Sequence, residues 1–267
     1  MRYIISILLT FFIFSCKQDS KIEKNSEGFH WLEPKKWQSM GPICFNLQAF
    51  PDQEFMLVFP EWFTSDRLNT ITSFNWDLKP FGATGTWEEG EYSSKLTLLL
   101  EESTQKIEIK WEYEFINRSD TTITNLAPFN CLNLNWAPLF KDLAMERTLV
   151  IDGNGTELLL KDVSKTQGEG KRTMQFYPAI KGIDLDQYRL NARLEVSSPA
   201  HLSGDRVKVR SRDGKWLLET IVDGPVAYFF NTWEEDHGCV HAAPLFPPIP
   251  PGDSAQTKGR IVFSKQK

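Results

Sequence analysis

Reactive side chains concentrate in one stretch, Asn231-Thr-Trp-Glu-Glu-Asp-His-Gly-Cys-Val-His-Ala-Ala-Pro244, which holds two of the four histidines and one cysteine. Imidazoles beside carboxylates can exchange protons near neutral pH. His237, His241 and Glu235 are therefore candidate catalytic acid/base residues. A thiol between two imidazoles is also a donor set for zinc or copper, so His237, Cys239 and His241 are candidate metal ligands. Either chemistry needs a strand, because alternation then puts positions 237, 239 and 241 on one face. Gly238 and the turn-like Asp236-His237-Gly238 work against that strand. No cofactor is expected: Gly82-Ala-Thr-Gly85 lacks the lysine of a phosphate loop, and no Gly-x-Ser-x-Gly elbow occurs.

The elements available to position these groups are strands. Apolar runs recur over 43–50, 55–59, 95–100, 107–116, 121–126, 147–151, 173–177, 192–196, 206–212, 216–222, 226–230 and 260–263. Asp152-Gly-Asn-Gly155, Asp213-Gly214 and Asp223-Gly-Pro225 supply turn chemistry between them. Residues 107–116 alternate, with Ile107, Ile109, Trp111, Tyr113 and Phe115 on one face and Glu108, Lys110, Glu112 and Glu114 on the other. Such a strand has one wet face. The best helical candidate, 183–193, is short and weakly periodic. About a dozen strands at this spacing imply an all-β fold, a large antiparallel β-sandwich.

The N-terminus reads as an address. Arg2 precedes a short apolar run over residues 3–14, too short to span a bilayer and suited to a signal peptide. Ile13-Phe-Ser-Cys16 resembles a bacterial lipobox, which implies lipidation of Cys16. The expected organisation is a lipoprotein signal peptide over 1–15, a polar tether over 16–28 and a single β-sandwich domain over 29–267. Each buried acyl CH₂ contributes about 0.8 kcal/mol to membrane attachment, so the lipid bilayer is an expected partner through Cys16. Asp19 after the cysteine resembles the export signal of surface lipoproteins in Bacteroidetes. The implied location is extracytoplasmic, on the periplasmic or outer-membrane surface. With Arg2 removed, 29 Lys and Arg face 35 Asp and Glu, a net charge of −6. That argues against a nucleic-acid partner. The sequence is silent on oligomeric state.

Outside the cytoplasm thiols tend to be bonded or metal-bound. Cys44, Cys131 and Cys239 leave an odd count, and Cys131 with Cys239 is the disulfide candidate if late strands return beside middle ones. That bridge would close a loop of more than ~100 residues, for which chain entropy suggests roughly 4–5 kcal/mol. The reading preferred for His241, Cys131 and Cys239 is structural, ordering the closing turn at one end of the sheet.

Nine tryptophans are present, several beside acids. Flat aromatic faces stack on sugar rings while acids bind hydroxyls. Trp62, Trp87, Trp136, Trp233 and Glu234 are the ligand-binding candidates.

Two passages carry a family resemblance. Trp111-Glu-Tyr-Glu-Phe-Ile-Asn-Arg-Ser-Asp-Thr-Thr-Ile-Thr-Asn-Leu126 reads strand, turn, strand, and Ile249-Pro-Pro-Gly-Asp253 precedes the closing strand. Together with Asn125-Leu-Ala-Pro-Phe-Asn-Cys-Leu-Asn-Leu134 they resemble the galactose mutarotase-like supersandwich. The resemblance implies a concave sheet that binds sugars. The catalytic histidine of that pattern has no counterpart near Asn130, Cys131 and Asn133. The reading is therefore a membrane-anchored protein binding a carbohydrate or cell-envelope glycan. The alternatives are a sugar-active enzyme on the same fold, of epimerase, lyase or glycosidase type, or a structural envelope lipoprotein without a ligand. Cys16→Ala is expected to abolish palmitate labelling of the chain in cells; unchanged labelling would place the acyl group elsewhere.

Overall fold

A computed structural model describes residues 28–35, 38–166, 174–188, 196–234 and 237–267. Cys16, the signal segment, the tether to residue 27 and Glu235 lie outside the described residues. Strands are numbered in chain order. The first nine-stranded sheet runs β1 (Phe29–Leu32), β2 (Ile43–Leu47), β3 (Phe50–Thr64), β9 (Ala127–Asn133), β17 (His237–Pro244), β16 (Val226–Glu234), β12 (Met174–Pro178) and β13 (Val196–Ser197), with β4 (Asn69–Ile71) beside β3. The second runs β11 (Glu157–Leu159), β10 (Thr148–Asp152), β14 (Leu202–Arg210), β15 (Trp216–Val222), β18 (Ser254–Lys265), β8 (Lys106–Asn117), β7 (Tyr92–Glu102), β6 (Gly82–Glu89) and β5 (Asn75–Lys79). Pairing is antiparallel except between β12 and β13. No helix reaches seven residues among those described; residues 185–188 form only a 3-10 turn. The fold is an antiparallel all-β sandwich, as its strand spacing implies.

The two sheets meet along an aromatic seam. β3 sends Phe55, Phe59 and Phe63 inward, where they meet Phe263 at 5.1 Å, Trp111 at 5.0 Å and Phe115 at 5.1 Å, each edge to face. The second sheet then turns its other face to water. On β8 the residues Ile107, Ile109, Trp111, Tyr113 and Phe115 are no more than 3 % exposed, while Lys110 and Glu112 are exposed. Lys110 pairs with Glu101 at 2.6 Å on that wet face; such surface pairs contribute little.

Through its central strands the first sheet is dry on both faces. Every residue of β9 is buried. Leu132, Val240 and Ala242 face the seam. Ala127, Phe129 and Ala243 face outward, where Ile183, Leu185 and Tyr188 cover them.

The strand expected over 121–126 does not form; only Ile123 bridges Ile249. Asn117, fully buried, holds this stretch as a crossing loop instead. Its Nδ2 donates to the carbonyls of Thr121 (2.8 Å), Ile249 (2.9 Å) and Pro250 (3.2 Å). Its Oδ1 accepts from the Ser119 N–H and hydroxyl. Its backbone exchanges hydrogen bonds with Gly252 and Asp253. The two turns singled out in the sequence are thus tied together by one side chain. The strand expected over 192–196 lies outside the described residues except at Val196, where β13 begins.

Asn117→Ala is expected to lower the unfolding free energy by about 2–3 kcal/mol, since three carbonyls each lose one donor and the Ser119 N–H and hydroxyl lose their acceptor. Asn117→Asp should recover little, because a carboxylate cannot donate to those carbonyls. Urea denaturation of both variants measures this.

Candidate functional site

The registers of β2, β3, β9, β17 and β16 sort the outward side chains of the first sheet into cross-strand rows. In one row Cys44 faces Met56, Met56 faces Asn133, and Asn133 faces Cys239. In the next Val58 faces Cys131, and His241 faces Phe230. In a third Trp62 faces Phe129. Adjacent residues on one face of a strand pair are natural contacts, and β17 supplies two chemical groups, Cys239 and His241, on alternate positions. Gly238 does not interrupt it: the strand runs unbroken from His237.

This arrangement brings Cys131, Cys239 and His241 together. Their ligand atoms lie within 4.8 Å of one another, and none of the three residues is more than 3 % exposed. Asn133 Nδ2 donates to the Cys239 sulfur at 3.2 Å. Between Val58 and Trp62 the β3 register shifts against β9, and Glu61, within that irregularity, lies close to Cys131. Burial pushes the Cys131 thiol well above its ordinary pKa, with the neighbouring Cys239 thiol and Glu61 adding to the rise. Cys44 is pushed up to about 12, by burial first and then by Glu54, with Lys35 opposing.

The His241 ring sits 4.3 Å from Phe129 and 5.0 Å from Phe230, centroid to centroid. Burial lowers its pKa to about 3, with the Asn130 backbone opposing, and neither ring nitrogen makes a hydrogen bond of normal geometry. The imidazole is neutral at physiological pH. It is a ligand form, and it lacks the proton a general acid must deliver. Trp62 stacks on Phe129 at 3.6 Å with rings 13° apart, and its buried indole N–H has no partner.

The other candidates scatter. Trp87 points into the core between the sheets, 6 % exposed and 5.2 Å from Phe63, and so is not on a ligand face. Trp136 packs against the sulfur-rich patch of Cys44, Met56, Val58, Cys131 and Cys239, with the Lys35 ammonium 5.8 Å from its ring. Trp233 pairs with Gly238 and Glu234 with His237 in the β16–β17 ladder; the side chains of these three non-glycine residues are not described. Cys131 and Cys239, the disulfide candidate, are adjacent free thiols. Among the described residues the donors that converge are Cys131, Cys239 and His241; of the expected set, the His237 side chain lies outside the described residues. Glu61 and Asn133 were missed. Asn133 shares the parity of Cys131 and was readable from it, whereas Glu61 depends on an irregularity that alternation does not reveal.

A separate cleft of about 600 Å³ lies against β18. Glu112, Gln256, Thr257 and Lys258 line it from the second sheet, Thr124 and Asn125 from the crossing loop, and Asp223 from the β15–β16 turn. Leu245, Pro247 and Pro248 give it an apolar wall. None of the sequence candidates whose side chains are described lines it.

No family model and no curated protein matches the chain in sequence. The solved structure of the Slr1438 protein from Synechocystis sp. PCC 6803 matches with a TM-score of 0.52 at 10 % identity, over 91 % of this chain and 97 % of that one, so the two share a fold. A galactose mutarotase-like protein from Lactobacillus casei ATCC 334 gives 0.43 at 11 % identity, over 90 % of this chain and 100 % of that one. A putative aldose 1-epimerase from Escherichia coli K12 gives 0.39 at 9 % identity, over 73 % and 69 %. Galactose mutarotase-like proteins are thus among the structural neighbours, at a likeness too low to argue from.

Cys44, with its pKa near 12, holds roughly a thousandfold less thiolate at pH 8 than an ordinary cysteine. The native chain is therefore expected to resist iodoacetamide at Cys44 for hours, and to react there within minutes once unfolded. Rapid native labelling of Cys44 in peptide mass maps would contradict this burial.

Proposed function

We propose that this chain is an extracytoplasmic lipoprotein, held on a bacterial membrane through Cys16, that binds a carbohydrate or cell-envelope glycan in the cleft against β18. The observation that carries the binding reading is the make-up of that cleft. Its volume of about 600 Å³ is within the usual range for small-ligand sites, roughly 300–1,000 Å³. Carboxylates, an amide pair, hydroxyls and an ammonium line one side, and two prolines and a leucine the other. That combination suits a ring with polar edges and apolar faces. The signal-like N-terminus and the lipobox-like Ile13-Phe-Ser-Cys16 support the location. The mutarotase-like turn motifs support a sugar as the ligand class.

Glu112 and Gln256 stand on neighbouring strands facing the cleft. Glycan-array screening followed by calorimetry is expected to find a saccharide whose affinity falls roughly tenfold in Glu112→Ala and in Gln256→Ala, about 1.4 kcal/mol each. Both residues are exposed, so folding should be unaffected. Absence of any saccharide ligand, or affinity unchanged from wild type in both variants, removes the reading.

A further inference from the structure

We propose that Cys131, Cys239 and His241 form a binding site for a thiophilic divalent ion, zinc(II). The site is separate from the cleft and does not depend on a sugar ligand. Three donor groups converge within 4.8 Å from two neighbouring strands, β9 and β17, whose pairing fixes their spacing. All three residues are almost wholly buried. A second observation points the same way. His241 is 1 % exposed, yet both ring nitrogens lack a hydrogen-bond partner. Buried polar groups are rarely left so, and a ring nitrogen aimed at two thiols is satisfied by an ion between them.

The donor chemistry selects the ion. Two sulfurs and an imidazole suit zinc, which takes four ligands in a tetrahedron, carboxylate oxygen included. Glu61 lies near Cys131 but outside the set of converging donors, so the chain supplies three ligands. Asn133 already donates to the Cys239 sulfur, the kind of outer contact that steadies a ligating thiolate. Charge decides between zinc(II) and copper(I). A divalent ion neutralises two thiolates, whereas a monovalent ion leaves a negative charge in a dry environment next to Glu61, and uncompensated buried charge is costly. On binding, two S–H bonds break, two metal–sulfur bonds form and two protons leave to solvent; no electron is transferred. Because the donors are buried, the ion enters as the chain folds.

The test uses the full-length chain produced with zinc and copper both supplied and purified without chelator. Elemental analysis is expected to give one equivalent of zinc per chain, falling below about a tenth of an equivalent in Cys131→Ser and in Cys239→Ser. Cys44→Ser, whose sulfur lies outside the converging set, should keep the full equivalent. Should the cysteine variants fail to fold, the wild-type chain refolded with cobalt(II) carries the test alone. It should show thiolate-to-metal charge transfer and tetrahedral ligand-field bands. Wild-type protein without stoichiometric metal overturns the proposal, and so does a Cys131–Cys239 disulfide in non-reduced peptide maps. One equivalent of copper in place of zinc overturns the divalent assignment.

Discussion

A sheet that is dry on both faces must find an apolar or internally satisfied partner for every outward side chain. That constraint governs the first sheet here. Its inner face meets the second sheet through the Phe55, Phe59 and Phe63 seam, which leaves the outer face to be covered by loops. Ile183, Leu185 and Tyr188 cover the aromatic half; Leu32, Met40 and Trp136 cover the sulfur half. Polar groups trapped under that cover cannot turn to water, so each needs a protein partner. Asn130 Nδ2 finds the Ala242 carbonyl at 2.9 Å, and the Tyr188 hydroxyl finds the Asn125 carbonyl at 3.1 Å. His241 and the Trp62 indole do not, and they lie on the same face as the two thiols.

The same constraint explains how much of the fold can be read from the chain. β8 has one wet face, and its alternating Ile, Trp, Tyr, Phe against Glu and Lys shows which side is inside. β9 reads Ala-Pro-Phe-Asn-Cys-Leu-Asn with no such contrast, because both of its faces are buried. The strand is recognisable there, but not the orientation of its side chains. β5, β6 and β11 lie in polar or glycine-containing sequence and gain their order from neighbours across the ladder. The stretch 121–126 looks like a strand by composition, yet Asn117 diverts it through hydrogen bonds to residues more than ~130 positions away in the chain, which no local pattern contains.

The tryptophan and acid neighbours teach a related point. Consecutive residues on a strand point to opposite faces. Trp87 is therefore buried in the core while Glu88 reaches solvent and pairs with Arg118 at 3.0 Å. An adjacent tryptophan and acid share a groove only where the strand departs from alternation. At Glu61 and Trp62 β3 shifts register against β9, so alternation does not assign them to opposite faces. The cleft against β18 was hidden for a different reason. Its lining comes from β8, β18, the crossing loop, the β15–β16 turn and residues 245–248, and its polar members are ordinary surface residues until the fold assembles them.

Alternation did reveal the shared parity of Cys239 and His241, but the meaning of that pair depends on what faces it. A solvent-exposed histidine beside a thiol would titrate near neutrality and could activate the sulfur by taking its proton. Here burial acts on His241 and the neighbouring Cys131 in opposite directions: the imidazole resists gaining a proton and the Cys131 thiol resists losing one. An ion pair between them would place two charges where neither is solvated. Proton transfer within the pair is thus disfavoured from both ends. The group that can draw electron density from two sulfurs and a neutral nitrogen at once, without leaving an isolated charge, is a cation of charge two. The dry outer face, which disfavours acid/base exchange within this cluster, is the property on which the proposed zinc site rests.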